Sequence, residues 1–445
     1  MKKVILSTMI ISSSSLLSFG QSAIKYPATK KIDKVDVYFG NSIPDPFRWL
    51  EDDRSAETAE WVKEQNKVTF DYLAAIPFRN TIKARMEKLW NYEKVSAPFK
   101  EGDYTYYYKN NGLQNQSVMY RKDAKGTEEL FLDPNTFSKD ATTSLDGVSF
   151  SKDGSLVAYS ISEAGSDWRK VIFIDAKTKQ SIGEPLVDVK FSGLSWKGNE
   201  GIFYSSYEKP KGSELSAKTD QHRLFFHKLG TKQAEDAILF GDQEKRRYVG
   251  GYVSDDNRYL FISAANSTSG NELYLKDLSV PNSPIVAIHK GFEYDVDVLD
   301  NIGTTLFIVT NLKAPNKRIV TVDVANPGVE NWKDLIPETE QVLNPSTGAG
   351  YIFANYMKDA VSVVKQFDYK GKLIRTIALP GVGTASGFGG KAKDKELYFS
   401  FTNYVTPGTT YTFFPDSGKS SVYVKPKVDF VSENYESKQV FFTSK

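Results

Sequence analysis

Three stretches of the sequence share one design: FSKDGSLVAYSIS at 150–162, SWKGNEGIFYSSY at 195–207 and VSDDNRYLFISAA at 253–265. In each, a polar turn with glycine or acidic residues precedes a run of aromatic and β-branched residues. That order is typical of a tight turn that leads into a β-strand. A further strand-like run follows each stretch: VIFID at 171–175, HRLFFHKLG at 222–230 and ELYLKDL at 272–278. The pattern therefore predicts repeated antiparallel hairpins.

The same unit recurs along most of the chain, with less regular members between the clear ones. Units begin near residues 98, 148, 194, 252, 294, 343 and 384. Their spacing of roughly 40–58 residues fits four-stranded propeller blades, which bury both faces only when they stack on neighbours. An all-β sandwich or a β-solenoid is the alternative. No hexapeptide repeat indicates a solenoid, whereas tandem sandwiches stay open. The predicted fold is mainly β, a seven-bladed β-propeller preceded by a short helical N-terminal segment.

Two helices are predicted before the repeats begin. Ser55 can cap the first, and apolar residues then recur at helical spacing as far as Ala75. Pro77 separates this helix from a second one, whose apolar face runs from Ile82 to Trp90. The residues that form the face of the first helix are Trp61, Gln65, Val68 and Tyr72.

Composition excludes several kinds of site. The 445 residues include no cysteine and three histidines, which excludes disulfides, thiolate metal sites and a cysteine nucleophile. We expect no metal and no cofactor, because the histidines are not clustered with acidic residues and no phosphate-binding glycine loop is present. The formal charge of +2 comes from Lys2 and Lys3, so no charge excess indicates nucleic acid or a membrane surface as a partner.

The first twenty residues have the pattern of a secretory signal peptide. Lys2 and Lys3 precede a moderately apolar run at 4–19, and Ser18 and Gly20 are small residues suited to signal peptidase. We expect cleavage between Gly20 and Gln21 and a periplasmic or secreted bacterial protein. The alternative is an unprocessed N-terminal strand or anchor.

Several short sequence motifs occur in order over almost the whole chain, and they resemble those of a known family. The chain resembles the prolyl oligopeptidases, from about residue 26 to its end. The motifs that carry the resemblance are DPFRWLEDDRS at 45–55, AEWVKEQNKVT at 59–69, GLQNQSVMYR at 112–121, FLDPN at 131–135, GSDW at 165–168, VKFSGLSW at 189–196 and HRLFFHKLG at 222–230.

The resemblance implies a seven-bladed propeller over an α/β-hydrolase domain that cleaves short peptides after proline with a serine, a histidine and an aspartate. Four segments are predicted: a signal peptide at 1–20, a helical segment at 21–95 that in the family packs on the hydrolase domain, the propeller at 96–427, and the start of the hydrolase domain at 428–445. The last residues, QVFFTSK, resemble the strand that leads into that domain.

No catalytic residue is predicted. The chain has no Gly-x-Ser-x-Gly elbow, and the nearest match, GVSFS at 147–151, lacks the final glycine. His222 and His227 are five residues apart on one strand and so face opposite sides, and His289 belongs to another unit. Whether the chain is an enzyme by itself is left open, but we expect it to be inactive alone.

The resemblance places a few residues of the propeller near the substrate. Phe191 matches a phenylalanine that reaches the peptide pocket, with a blade-core aromatic as the alternative. Asp167 and Trp168 match an element near the domain interface, with an ordinary blade turn as the alternative. The family arginine expected at 264–266 is absent, and the charged stretch at 208–221 matches a mobile loop or is an inert one.

Three classes of function remain. The first is the propeller portion of an exported prolyl oligopeptidase, a monomer whose partners are short proline-containing peptides and the missing hydrolase domain. The second is a stand-alone propeller that binds peptides or proteins without catalysis. The third is a propeller enzyme that uses carboxylates, for which no distinctive acid pair is visible.

Overall fold

The structure is a computed structural model that describes residues 24–210 and 219–444. By its contacts the chain divides after Thr81 into two compact units, residues 1–81 and 82–445. The predicted signal peptide and most of the predicted loop at 208–221 lie outside the described residues, and the four predicted segment boundaries stay predictions.

The N-terminal unit contains the first predicted helix, α1 (Ala56–Ala74). Ser55 caps it as predicted, since its hydroxyl accepts a hydrogen bond of 3.1 Å from the Thr58 amide. The second helix, α2 (Arg79–Trp90), begins two residues after Pro77. A short antiparallel hairpin precedes the helices: β1 (Val35–Tyr38) and β2 (Asn41–Pro44).

Seven antiparallel sheets follow and confirm the predicted seven-bladed propeller. Blade 1 consists of β3 (Lys94–Val95), β4 (Phe99–Glu101), β5 (Tyr104–Asn110), β6 (Val118–Lys122) and β7 (Glu128–Leu132), and blade 2 of β8 (Thr143–Phe150), β9 (Leu156–Glu163), β10 (Trp168–Asp175) and β11 (Leu186–Lys190). Blade 3 consists of β12 (Ser195–Lys197), β13 (Gly201–Ser206), β14 (Arg223–Lys228) and β15 (Ala237–Phe240), and blade 4 of β16 (Tyr248–Val253), β17 (Tyr259–Ala265), β18 (Glu272–Asp277) and β19 (Ile285–His289). Blade 5 consists of β20 (Val296–Ile302), β21 (Thr305–Thr310), β22 (Arg318–Asp323) and β23 (Lys333–Ile336), blade 6 of β24 (Val342–Gly348), β25 (Tyr351–Lys358), β26 (Val361–Phe367) and β27 (Leu373–Thr376), and blade 7 of β28 (Thr384–Gly387), β29 (Leu397–Thr402), β30 (Thr409–Phe414) and β31 (Lys419–Val424).

The strand order gives the propeller two distinct faces. Each blade from 2 to 7 is a four-stranded meander in chain order, and the first strands of neighbouring blades contact one another, as β12 does with β8 and β16. Blade 1 differs because its first strand is interrupted at Pro98, so β3 and β4 both pair with β5. Since adjacent strands are antiparallel, the loops between second and third strands share one face with the loops between blades. We call this the upper face.

Apolar clusters between neighbouring blades form the core. Alternate residues of each strand point toward one neighbour or the other, so each blade contributes to two clusters. Between blades 4 and 5, for example, Tyr259 and Phe261 pack with Leu306 and Ile308. Six such clusters join blade 1 to 2, 2 to 3, and onward to 6 and 7.

Blades 7 and 1 meet differently, at a junction that we call the seam. None of the six apolar clusters formed by the described residues joins these two blades. Instead, Lys391 of blade 7 pairs with the Glu101 carboxylate at 2.7 Å and donates to the Lys100 carbonyl at 2.9 Å. A cavity of about 590 Å³ lies beside these residues, between Phe99 of blade 1 and Leu397 of blade 7. The seam is therefore the polar junction of the ring.

The acidic turns of the repeat do more than reverse the chain. Asp153 accepts hydrogen bonds within its own turn from Ser155 and, across to blade 3, one of 2.7 Å from Asn199 Nδ2. Asp256 accepts a matching bond of 2.8 Å from Asn301 of blade 5. Burial opposes ionisation of Asp153, but the hydrogen bonds outweigh it and hold the pKa of that carboxyl well below its ordinary value. These carboxylates therefore tie blades together.

Candidate functional site

Phe191 lies on the upper face, at the point where β11 ends and the chain crosses to blade 3. Its ring is 42% exposed, so it is not an enclosed core aromatic. Its backbone has a φ of 53°, a left-handed conformation that is uncommon for a residue other than glycine. The ring contacts Tyr207 of blade 3 and Tyr248 of blade 4, with centroid distances of 6.3 and 6.0 Å. Three blades thus meet around one partly exposed ring.

His222 fixes the backbone next to Phe191 through a hydrogen bond to Lys190. It is fully buried, and its Nε2 donates to the Lys190 carbonyl at 2.9 Å while its Nδ1 accepts from the Val249 amide at 2.8 Å. These partners require the neutral ring with its proton on Nε2. Burial lowers the pKa of His222 to about 4, which keeps the ring neutral near pH 7.

Tyr207 fills the space between His222 and Phe191. Its ring stacks on the imidazole of His222 at 4.2 Å between centroids, and its hydroxyl donates to the Arg247 carbonyl. Burial raises the pKa of Tyr207 to about 12, so this hydroxyl stays protonated. Tyr207 and His222 therefore form a rigid support beneath the exposed ring.

Lys190 lies close to both Phe191 and Trp168. Lys190 is 5% exposed, and its Nζ lies 5.0 Å from the centroid of the Trp168 rings and 5.1 Å from that of Phe191. Lys209 also lies over Trp168, at 5.7 Å, and pairs with Asp188 at 2.8 Å. We call Trp168, Lys190, Phe191, Tyr207, His222 and Tyr248 the aromatic cluster.

The other predicted interface residue, Asp167, is exposed in the turn before Trp168. Trp168 itself is buried at 8% exposure, so the indole packs inside the cluster while the turn faces outward. Their predicted place at a domain interface stays a prediction. At 264–266 the chain has Ala264, Ala265 and Asn266, but Arg247 lies close by, over the Tyr248 ring at 5.6 Å.

Sequence reasoning identified Phe191 and Trp168, as well as Asp167 in the adjoining turn, and missed the other members of the aromatic cluster. Lys190 belongs to the VKFSG motif itself, and an Arg-Arg-Tyr run at 246–248 begins blade 4, so the sequence shows both of these basic and aromatic positions. Their proximity in space could not be predicted from the sequence, because these positions are separated by more than fifty residues and meet only through blade stacking.

The histidines form no catalytic pair among the described residues. His227 binds Asp236 at 2.9 Å and stacks on Phe173 at 5.5 Å inside blade 3. His289 is buried with its Nε2 unpartnered in the described part of the chain, and burial lowers its pKa. No serine hydroxyl is hydrogen-bonded to any of the three rings within residues 24–210 and 219–444.

Two further features of the described residues bear on the site. No group of three or more histidine, aspartate and glutamate side chains is placed to hold a metal ion. Neither helix among the described residues is long and apolar enough to cross a membrane.

Comparison with known proteins fits this geometry. Residues 27–426 match the family model of the prolyl oligopeptidase N-terminal β-propeller domain. The chain belongs to the prolyl oligopeptidase family. It is 56% identical over 445 residues to a prolyl endopeptidase of Elizabethkingia miricola, covering all of this chain and 63% of that protein.

Solved structures of prolyl oligopeptidases are also similar. One, from a structural and mechanistic analysis of two prolyl endopeptidases, is 29% identical with a TM-score of 0.85 and covers 95% of this chain. Another, prolyl oligopeptidase B of Galerina marginata bound to a 35-residue hydrolysis and macrocyclization substrate, is 26% identical with a TM-score of 0.82. This chain spans 63% of each of those two chains and corresponds to the N-terminal propeller portion of the family. No hydrolase domain is present among the described residues.

Proposed function

We propose that this chain is the propeller portion of a prolyl oligopeptidase and that its aromatic cluster helps to bind short proline-containing peptides. Cleavage after proline would then be carried out by a serine-peptidase domain on the upper face. The observation that carries the proposal is Phe191, an apolar ring left partly exposed in a strained backbone and supported by Tyr207 and His222. A phenyl ring offers a proline ring an apolar wall without a polar group to satisfy.

Other exposed apolar residues on the upper face support a docked second domain. Leu113 of blade 1 is 54% exposed, Val382 before blade 7 is 44% exposed, and Tyr404 in blade 7 is fully exposed. All three lie in upper-face loops, as Phe191 does. Apolar groups on one face of a protein mark an interaction surface, and the relatives of this chain are longer than it is.

The test joins this chain to the C-terminal portion of the Elizabethkingia miricola relative and measures steady-state cleavage of a proline-containing peptide. For Phe191→Ala we expect a higher KM with kcat less affected, because the ring touches no reacting atom. The lost apolar contact is worth about 1–3 kcal/mol. Phe414→Ala is the matched control. Phe414 is similarly exposed, at 39%, but it ends the third strand of blade 7 and therefore lies on the face opposite the upper face.

An unchanged KM for Phe191→Ala, with stability also unchanged, would place the ring outside the pocket and contradict the proposal. The stand-alone binding propeller is distinguished by one further observation. If the reading frame continues after Lys445 into a Gly-x-Ser-x-Gly segment, the chain is the front part of a peptidase.

We further propose that the protein is exported, with a signal peptide at 1–20, and acts as a monomer. The segment at 21–95 would pack on the hydrolase domain, residues 96–427 would form the propeller, and 428–445 would begin the hydrolase domain. Mass spectrometry of the N-terminus of secreted protein tests the first point, since a chain that begins at Gln21 is expected.

A further inference from the structure

Lys190 is a nearly buried cation that has no counter-ion among the residues that the structure describes. Among residues 24–210 and 219–444, no carboxylate forms an ion pair with its ammonium, and no acceptor receives a hydrogen bond from it. Its neighbour Lys209 contacts the same indole, yet that lysine is neutralised by Asp188 at 2.8 Å. Asp167, one residue before Trp168, is exposed and forms no ion pair with Lys190.

Such an arrangement is unfavourable in the absence of a ligand. Removing an ammonium from water is costly unless hydrogen bonds or an opposite charge replace the lost hydration. The rings of Trp168 and Phe191 offset part of that cost through cation–π attraction, but they satisfy none of the three N–H donors. The donors of Lys190 are therefore available to an acceptor that comes from outside the chain.

A second cation lies beside Tyr248, a neighbour of Phe191. Arg247 lies over the Tyr248 ring, which itself contacts Phe191, and its guanidinium forms no ion pair with any described residue. The partly exposed phenyl ring thus has two cations in its surroundings that form no ion pair with any described residue. An apolar wall flanked by positive charge fits a ligand that carries a carboxylate beside an apolar group.

We propose that Lys190 binds a carboxylate of the bound peptide, so that the site selects proline-containing peptides with an acidic side chain or a free C-terminus near the proline. This inference rests on the proposed function, because it takes the ligand of the aromatic cluster to be a peptide. The carboxylate accepts hydrogen bonds from the ammonium while Phe191 contacts the adjoining apolar part.

The experiment measures binding of three peptides to this chain by isothermal titration calorimetry. The peptides are acetyl-Ala-Glu-Pro-Ala-amide, acetyl-Ala-Gln-Pro-Ala-amide, and the Gln peptide with a free C-terminal carboxylate. We expect the Glu peptide, the free-acid peptide or both to bind about tenfold more tightly than the neutral one, as for a partly buried charge pair. Which of the two binds more tightly identifies the source of the carboxylate.

Variants separate recognition from structure. Lys190→Met keeps the apolar stem and should remove the preference for the carboxylate, whereas Lys190→Arg should retain part of it. Lys365→Met is the matched control, because Lys365 lies over the Tyr356 ring at 5.3 Å in blade 6 and also has no described ion pair. The melting temperature of Lys190→Met should be unchanged or higher, since the variant removes an uncompensated buried charge.

Each other result has a definite meaning. Equal binding of all three peptides would refute the role of Lys190 and leave the proposed function standing, whereas no binding of any peptide would refute the proposed function for this chain. A preference that survives in Lys190→Met, or a lower melting temperature for that variant, would also refute the inference.

Discussion

At the residue scale, His222 links positions that are far apart in the sequence. Its two ring nitrogens connect the Lys190 carbonyl at the end of blade 2 with the Val249 amide at the start of blade 4. The ring can make both bonds only when it is neutral, because a protonated Nδ1 cannot accept from an amide. The geometry of the aromatic cluster therefore depends on the protonation state of one buried imidazole.

Stability should accordingly depend on pH through His222. Its pKa is lowered to about 4 in the folded chain by burial, so the unfolded chain binds the proton more strongly. The contribution is complete above the ordinary pKa of about 6.5 and is lost as the pH falls from there toward 4, by about 3 kcal/mol in all. Urea unfolding at a series of pH values should show this slope, and His222→Gln should reduce it.

His289 provides the comparison for that experiment. Burial lowers its pKa as well, so its own contribution remains in the His222→Gln protein and the difference between the two curves isolates His222. Identical slopes for the two proteins would mean that His222 is not the group whose protonation destabilises the fold.

At the scale of elements, the two helices contrast with the blade strands. α1 buries only Thr58, and α2 buries no residue at all. Large apolar side chains are exposed on both, including Phe70 at 63%, Met86 at 63% and Trp90 at 62%. The helices therefore have little packing within the described chain to stabilise them.

We expect amide hydrogen exchange across residues 55–90 to be fast relative to the central strands of the blades. Opening α1 or α2 loses few buried contacts, whereas opening a strand such as β17 exposes the core between two blades. Exchange measured by mass spectrometry on this chain tests the difference. Equal protection in the two regions would show that the helices are held by contacts as strong as those between blades.

The seam offers a comparison between two similar lysines. Lys391 joins blade 7 to blade 1 through Glu101 and the Lys100 carbonyl, and Lys179 joins blade 2 to blade 1 through Glu129 and a neighbouring carbonyl. Of these two junctions, only the second has an apolar cluster formed by the described residues.

We therefore expect Lys391→Met to speed hydrogen exchange in the strands beside the seam, β4 and β29. Lys179→Met should leave exchange in blades 1 and 2 almost unchanged, because their apolar cluster stays intact. Equal effects of the two substitutions would indicate that the seam is held by contacts other than this pair.

At the scale of the whole molecule, the fold was predictable and the full site was not. Turns such as SKDGS and the alternating strands after them stand out clearly in three units and less regularly in the other four, so a local signal sufficed to count the blades. The same signal showed Asp153 as a turn residue but not its bond to Asn199 in the next blade. Lys190, His222 and Tyr248 come from three blades, and alternation within a strand does not determine which side chains of different blades meet.

The whole chain should have no peptidase activity of its own. None of its described histidines is paired with a serine, and no Gly-x-Ser-x-Gly elbow occurs in the sequence. Incubation of the purified chain with a proline-containing chromogenic peptide should release no product above the buffer control. Activity that disappears when one of its own serines is replaced would refute this expectation.

The seam also determines how the blades cooperate. A ring with seven equal junctions has no end, so no blade can leave it without breaking two of them. With one weak junction the propeller instead behaves as a linear array of seven repeats, whose total stability is the sum of each repeat and its nearest-neighbour couplings. Blades 1 and 7 are then the two ends of that array, each with a single strong coupling, and unfolding proceeds inward from them toward blade 4.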